Sequence, residues 1–330
     1  MPGKSNIEWT DATWNPVTGC SKVSQGCKNC YAEAFFARPY PGRKFTDVRT
    51  HPERLDWPLR WRGSPQAKAE GRPSRIFVNS MSDLFHEDVP TDFIFQVFLR
   101  MWGAPDFVFQ ILTKRASRMR ELVRTWLDID RKLMGQFAPD ALPGGRGIER
   151  LGSPVDNVWF GVSIEDQKTA DERIPILLQT PAALRWVSYE PALGPVDFSR
   201  IRWPQSGAQA TYCDALTGSL LRFPLGGPIA HGVCPKLDWI VAGGESGPHA
   251  RPLRPDWFRS VRDQCQAACV PFFFKQWGAW LPDGQDGAKF TMRQEINAGD
   301  QPVYVGKKKA GCLLDGREWK EFPAFADSRS

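Results

Sequence analysis

Six short apolar runs punctuate the chain, and each ends in polar residues: Arg75–Phe85, Phe107–Arg115, Asn157–Asp166, Leu184–Pro191, Asp238–Gly247 and Val270–Gly278. They are rich in β-branched and aromatic residues and do not alternate cleanly, the pattern of strands buried on both faces. Amphipathic stretches separate most of them. Thr91–Trp102 opens on a Thr-Asp N-cap, and Ser117–Ile129 follows the second run. Gln167–Gln179 is helical in pattern, with Pro175 expected to kink or shorten it. Pro255–Cys269 has Pro in its first turn and Trp257, Val261 and Cys265 on one stripe. Such alternation predicts a parallel sheet. The expected fold class is α/β, a partial (β/α) TIM-like barrel of about six parallel strands with an N-terminal cluster loop and a C-terminal extension.

Polar residues close every run: Asn79, Ser80, Ser82 and Asp83; Thr113, Lys114 and Arg115; Ser163 and Glu165; Ser188 and Glu190; Glu245 and Ser246; Lys275 and Gln276. Folds of this class place active sites at the C-terminal strand ends, so these sets are expected to ring a common cavity. Lys275, closing an apolar Phe run, needs a counter-charge such as Glu190 or Glu245. The barrel is expected over residues 1–280, with the cluster loop at 14–36 and a polar, Gly-rich insertion at 206–236. Pro39–Pro73 reads as an extended excursion and Met134–Pro154 as a loop. In the extension, 281–330, Val303–Val305 and Cys312–Leu314 are expected to form a hairpin with Asp315-Gly316 marking a turn, and Lys307–Lys309 a solvated turn.

Composition narrows the class. With 42% apolar and 12% aromatic residues over 330 positions, the chain can bury a large core and is not a disordered one. No apolar run reaches the length of a membrane span. The N-terminal MPGKSNIEWT lacks the features of a signal peptide, so a cytoplasmic location is expected, where cysteines are reduced, metal-bound or catalytic. The net charge of +6 is compatible with a nucleic-acid or nucleotide partner and does not require one.

The eight cysteines are unevenly spread. Cys20, Cys27 and Cys30 form C-x6-C-x2-C in TGCSKVSQGCKNCYAE, followed by a helix start at Tyr31. Thiolates at this spacing on a Gly-rich loop can converge on one metal centre. Three ligands, with no fourth nearby, point to a [4Fe–4S] cluster with one open iron; the alternative is zinc completed by a remote residue such as His51 or His86. Cys265 and Cys269 read as packing residues on a helix. Cys213 and Cys234 flank the insertion and are candidates for a second metal; Cys312 has no evident partner.

The three-cysteine loop at the start of a (β/α) pattern resembles the radical S-adenosylmethionine superfamily, whose usual signature is C-x3-C-x2-C; here the first gap is six residues. Tyr31 matches the aromatic residue often found beside the last cysteine. The segments IEWTDATWNPVTGC, NSMSDLFHEDVP, ILTKR, WFGVSIED, VSYEPALGP, GGESGPHARP and PFFFKQWG resemble an uncharacterised phage and prophage family that carries the motif. GCKNCYAE, SMSDLF and LTKR are similar to spore-photoproduct-lyase-like enzymes, which implies a nucleobase or nucleic-acid substrate. The resemblance implies S-adenosylmethionine bound at the open iron, an external electron donor, and a 5′-deoxyadenosyl radical that abstracts hydrogen from substrate. It implies Lys114 or Arg115 at the methionine carboxylate, Ser163 and Glu165 at the amine or ribose, and Asn79, Ser80 and Asp83 lining the pocket. Gly243-Gly244-Glu245 looks like the superfamily's amine-binding Gly-Gly-Glu but follows a late strand, so that role is not carried over. Glu245 is a pocket candidate, and Asp83, Glu165, Glu245 and Lys275 are the candidate catalytic residues. The competing functions are a metal-stabilised nucleic-acid-binding module without catalysis and a divalent-metal hydrolase using the strand-end carboxylates.

Overall fold

The computed structural model describes residues 3–5, 7–128, 156–204, 211–222, 229–282, 284–285 and 302–324. The Met134–Pro154 loop expectation lies outside the described residues. The α/β class holds: seven parallel strands succeed one another in chain order in one sheet, the topology of a partial (β/α) barrel. Six of the seven are the apolar runs. The seventh, β1 (Ala12–Trp14), escaped detection because three residues inside a polar stretch carry no period.

The chain divides into two compact units, one comprising Met1–Lys22, Ala32–Gly161 and Thr180–Leu184, the other Val23–Tyr31, Val162–Gln179 and Arg185–Ser330. In the first, β1 pairs in parallel with β2 (Ser74–Val78), and β2 with β3 (Phe107–Thr113), in the register Ile76 opposite Ala12 and Phe109. Every residue of β2 is buried, as expected of a strand covered on both faces. The helix Thr91–Trp102 buries Ile94, Val97, Phe98 and Met101, and Phe98 meets Phe160 edge to face with ring centroids 6.3 Å apart. Ala116–Asp128 follows β3 and packs Trp126 against Phe98.

β4 (Val158–Ile164) and β5 (Leu184–Tyr189) run on from the first unit into the second. The helix Gln167–Leu178 has an Asp166–Thr169 capping box and continues through Pro175 to within one residue of its expected end, so the proline is accommodated inside it. The insertion is ordered around an antiparallel sheet of β6 (Ile201–Trp203), β7 (Thr211–Asp214), β8 (Ser219–Arg222) and β9 (Ile229–Val233). β10 (Trp239–Gly243) pairs in parallel with β5 and with β11 (Phe272–Gln276). Trp186 and Trp239 meet at a tilt with ring centroids 5.5 Å apart, and Phe258 of the helix Pro255–Ala267 packs on Phe274 and Trp277.

Three local expectations need correction. Val303–Tyr304 pairs with Trp280–Leu281, not with the segment after it, while Leu313–Leu314 turns through Asp315-Gly316 onto Arg317–Glu318. The turn chemistry was legible; the longer-range partner was not. Lys307–Ala310 is a single helical turn. Cys269 is beyond the end of its helix, exposed, with φ +52°, so only Cys265 packs in the core.

Candidate functional site

In the first unit, main-chain bonds fix the approach to Cys20. Val17–Thr18 pairs with Arg49–Thr50, the Gly19 N–H donates to Met81 O at 3.1 Å, and the Cys20 N–H donates to Phe45 O at 2.8 Å. Gly19 has φ +92°, and a Cβ there would lie 2.6 Å from Asp47 O, so no larger residue fits. The strand end after β2 is knitted to the same segment. Asn79, at φ +64°, accepts the Val17 N–H on Oδ1, Ser80 donates to Asn15 Oδ1, and Ser82 donates to Val17 O. The buried Nδ2 of Asn79 has no partner among the described atoms.

Beside the Cys20 sulfur lies Arg115, whose Nη1 is 3.6 Å from Sγ. Its Nε donates to both Glu87 oxygens at 3.0 Å, Nη1 to Asp83 at 3.3 Å, and Nη2 to the Ser21 hydroxyl at 2.8 Å. Burial opposes this charge, but the negative groups of Asp83, Glu87 and Cys20 raise the guanidinium further above its ordinary value, so it remains a cation. A fixed cation next to a thiol favours the thiolate, the form that binds metals. Asp83 is itself saturated: it accepts the Thr113 hydroxyl at 2.7 Å and the N–H groups of Phe85 and Lys114 at 3.0 and 3.2 Å. Its geometry orients Arg115. Lys114 enters this network through its main chain.

Both remote histidines are occupied. His51 uses Nε2 toward Thr18 and Nδ1 toward Glu53, at 2.8 and 3.0 Å. His86 accepts the Asp88 N–H on Nδ1 and meets the Ser21 hydroxyl through Nε2 at 2.8 Å. Burial, reinforced by Arg115, lowers the His86 pKa, so its ring is neutral at pH 7.

In the second unit, side chains hold the segment carrying Cys27 and Cys30. The Ser24 hydroxyl donates to Glu165 at 2.8 Å and lies 3.8 Å from the Cys27 sulfur. Glu165 is fully buried and paired with Arg173 at 3.2 Å, and Arg173 also donates to Ser163 O. Gly26 passes so close that a Cβ would come within 2.3 Å of Glu165 Oε1. Further along, the Asn29 amide donates to Glu245 at 3.0 Å and to His249 O at 2.7 Å. Arg251 clasps Glu245 through Nε at 2.9 Å and reaches Gln25 O at 3.0 Å. Burial alone would raise the Glu245 pKa, but its bonds from Arg251 and Asn29 bring it below the usual carboxylate range.

Lys275 and Ser163 belong to a separate cluster. Lys275 Nζ donates to Glu190 at 2.9 and 3.0 Å, the pairing its apolar neighbours required. Gln276 Nε2 donates to Glu190 and to Gly244 O, and the Ser163 hydroxyl donates to Glu190 O at 3.2 Å. Gln276 Oε1 has no partner among the described atoms.

Ser21, Ser24, Asn29, Glu87, Arg173 and Arg251 were not picked out by sequence reasoning. Their signals were weak: hydroxyl and amide residues beside the cysteines, and arginines shortly after Glu165 and Glu245.

None of the eight cysteines is in a disulfide, and Cys20, Cys27 and Cys30 are each half-buried. Three reduced thiols with a cation beside one of them fit an iron–sulfur cluster in donor chemistry. Among the described residues no three His, Cys, Asp or Glu side chains are gathered as a ready-made metal group. Metal binding commonly supplies that gathering itself.

No curated protein and no solved structure matches the chain. A family model does, over residues 4–323, under the description protein of unknown function (DUF5131). Because that match spans nearly the whole sequence, including the cysteine loop and all the strand-end residues described above, the chain belongs to the DUF5131 family.

Proposed function

We propose that the chain is an iron–sulfur, S-adenosylmethionine-dependent radical enzyme that modifies or repairs a nucleobase or nucleic acid. The single observation that carries the reading furthest is the buried, charge-compensated Arg115 beside Cys20. An arginine held this firmly against a thiol serves a thiolate ligand better than a packing residue. Cys20, Cys27 and Cys30 would hold a [4Fe–4S] cluster, which when bound supplies one-electron reduction of S-adenosylmethionine. Asp83, Glu165 and Glu245 act on the loop and not on the substrate. Asp83 orients Arg115, and the other two anchor Ser24 and Asn29. Lys275 and Gln276, around Glu190, are then the strand-end groups left to meet a substrate, with one uncompensated acceptor on Gln276.

Two observations weigh against the competing readings. The ring nitrogens of His51 and His86, the two remote histidines named for a zinc knuckle, already have partners. Asp83, Glu165 and Glu245 each face an arginine, a poor arrangement for carboxylates meant to hold divalent metal. No helix among the described residues is long and apolar enough to cross a membrane.

The test is single-turnover chemistry on the anaerobically reconstituted protein with a chemical reductant. Formation of 5′-deoxyadenosine is expected. A cluster that binds S-adenosylmethionine without ever cleaving it would overturn the enzymatic reading and leave a binding module.

A further inference from the structure

Cys213 and Cys234 lie outside the loop, and the sheet of the insertion brings them together. Cys213 is on β7, opposite Ile201 of β6 and Leu220 of β8, and it is fully buried. Cys234 directly follows β9, whose residues are all exposed; its N–H donates to Gly218 O at 2.8 Å, and it is half-buried. The two sulfurs are 2.8 Å apart. Among the described residues no third His, Cys, Asp or Glu joins them as a metal group, so the expectation of a second metal lacks its remaining ligands.

We propose that Cys213 and Cys234 form a reversible dithiol–disulfide site, oxidised by hydroperoxides and independent of the three-cysteine loop. The two thiols are not equivalent. The contact between them, and then burial, push the Cys213 thiol up; the same contact pulls Cys234 down despite its own partial burial. The nearby Asp214 carboxylate works against both thiolates. Cys234 is therefore the attacking sulfur, and it is also the one that solvent reaches.

Its thiolate attacks the outer oxygen of a hydroperoxide. The O–O bond breaks, and the alkoxide leaves and takes a proton from water, giving an alcohol and a sulfenic acid on Cys234. The Cys213 sulfur then attacks Cys234, the S–O bond breaks, and hydroxide leaves with the Cys213 proton as water. The pair loses two electrons and the peroxide gains them. Two equivalents of a small-molecule thiol reverse it: the first opens the bond to a mixed disulfide, the second displaces the freed protein thiol, and the two leave as their own disulfide. The bond would pin the end of the exposed edge strand β9 to β7, two strands away in the sheet.

The experiment uses the full chain, treated with equimolar hydrogen peroxide, alkylated and mapped by mass spectrometry. The expected product is a peptide pair linked through Cys213 and Cys234, lighter by two hydrogens and released by dithiothreitol. It should form about ten-fold faster than modification of the exposed Cys269. In Cys234→Ser the link is lost and Cys213 stays unmodified. In Cys213→Ser, Cys234 accumulates a sulfenic acid that dimedone traps. The proposal is overturned if both cysteines remain separately alkylatable under peroxide that oxidises Cys269. It is equally overturned if they link to other cysteines instead. Neither result bears on the cluster, because Cys20, Cys27 and Cys30 are read on their own peptides.

Discussion

Cys20 and the Cys27–Cys30 pair are ten residues apart at most, yet they are fixed by opposite means. Cys20 is placed by the main chain: its N–H reaches Phe45 O, and Gly19 takes a backbone conformation that admits no side chain. Its sulfur is met by a side chain, Arg115. Cys27 and Cys30 ride on a segment with a single 3-10 turn, Gln25–Cys27, held by bonds from Ser24, Gln25 and Asn29 to Glu165, Arg251 and Glu245. The difference teaches that charged strand-end residues are not automatically catalytic. Here three carboxylates spend their oxygens on positioning, and substitutions should separate the two modes of support.

The largest effect is expected from Arg173→Met. It removes the Arg173 guanidinium from the fully buried Glu165, and breaking a buried pair by removing one partner typically costs about 3–5 kcal/mol. Urea denaturation measures it, and adding Glu165→Gln should recover most of the loss. Gly26→Ala comes next. Its Cβ meets a Glu165 side chain that cannot yield, an overpacking cost of roughly 1–3 kcal/mol. Alkylation of Cys27 should accelerate while Cys20 is unchanged; equal acceleration at both would erase the distinction. Arg115→Gln is expected to do the reverse, slowing Cys20 alkylation at neutral pH by about ten-fold because the cation that favours its thiolate is gone, with Cys27 unaffected.

The smallest effect is in acid. Because Glu245 is held below its unfolded value, its contribution is complete above the unfolded carboxylate range near ~4.3 and is lost as pH falls through the lower folded value. Protonation there should release Asn29. Protection of the Asn29 side-chain amide from exchange, taken relative to a free amide at the same pH, should therefore fall in the native chain only below the ordinary carboxylate value of ~4.3. In Glu245→Gln that protection should no longer depend on acid pH.

The strands and the cysteine motif were legible because they rest on local signals, runs of β-branched and aromatic residues and thiols within ten positions. The Lys275–Glu190 pair was legible too, since burying a lone ammonium is costly. What the sequence hid was non-local. Nothing near Glu165 announces that Ser24, 141 positions earlier, donates to it, or that Asn29 does the same for Glu245 from 216 positions away. The carboxylates therefore read as free reactive groups until their arginines were placed. Cys213 and Cys234 were legible as a pair flanking the insertion, but the direct contact of their sulfurs was not, since it depends on the pairing of a four-stranded sheet.

The central claim is that Cys20, Cys27 and Cys30 act as joint ligands of one cluster. Anaerobic reconstitution followed by iron and sulfide analysis tests it most directly, with the native chain compared to Cys30→Ala. About four irons and four sulfides per native chain are expected, with loss of the cluster in the variant. Stoichiometric zinc with no iron uptake, or iron retained undiminished by Cys30→Ala, would contradict it.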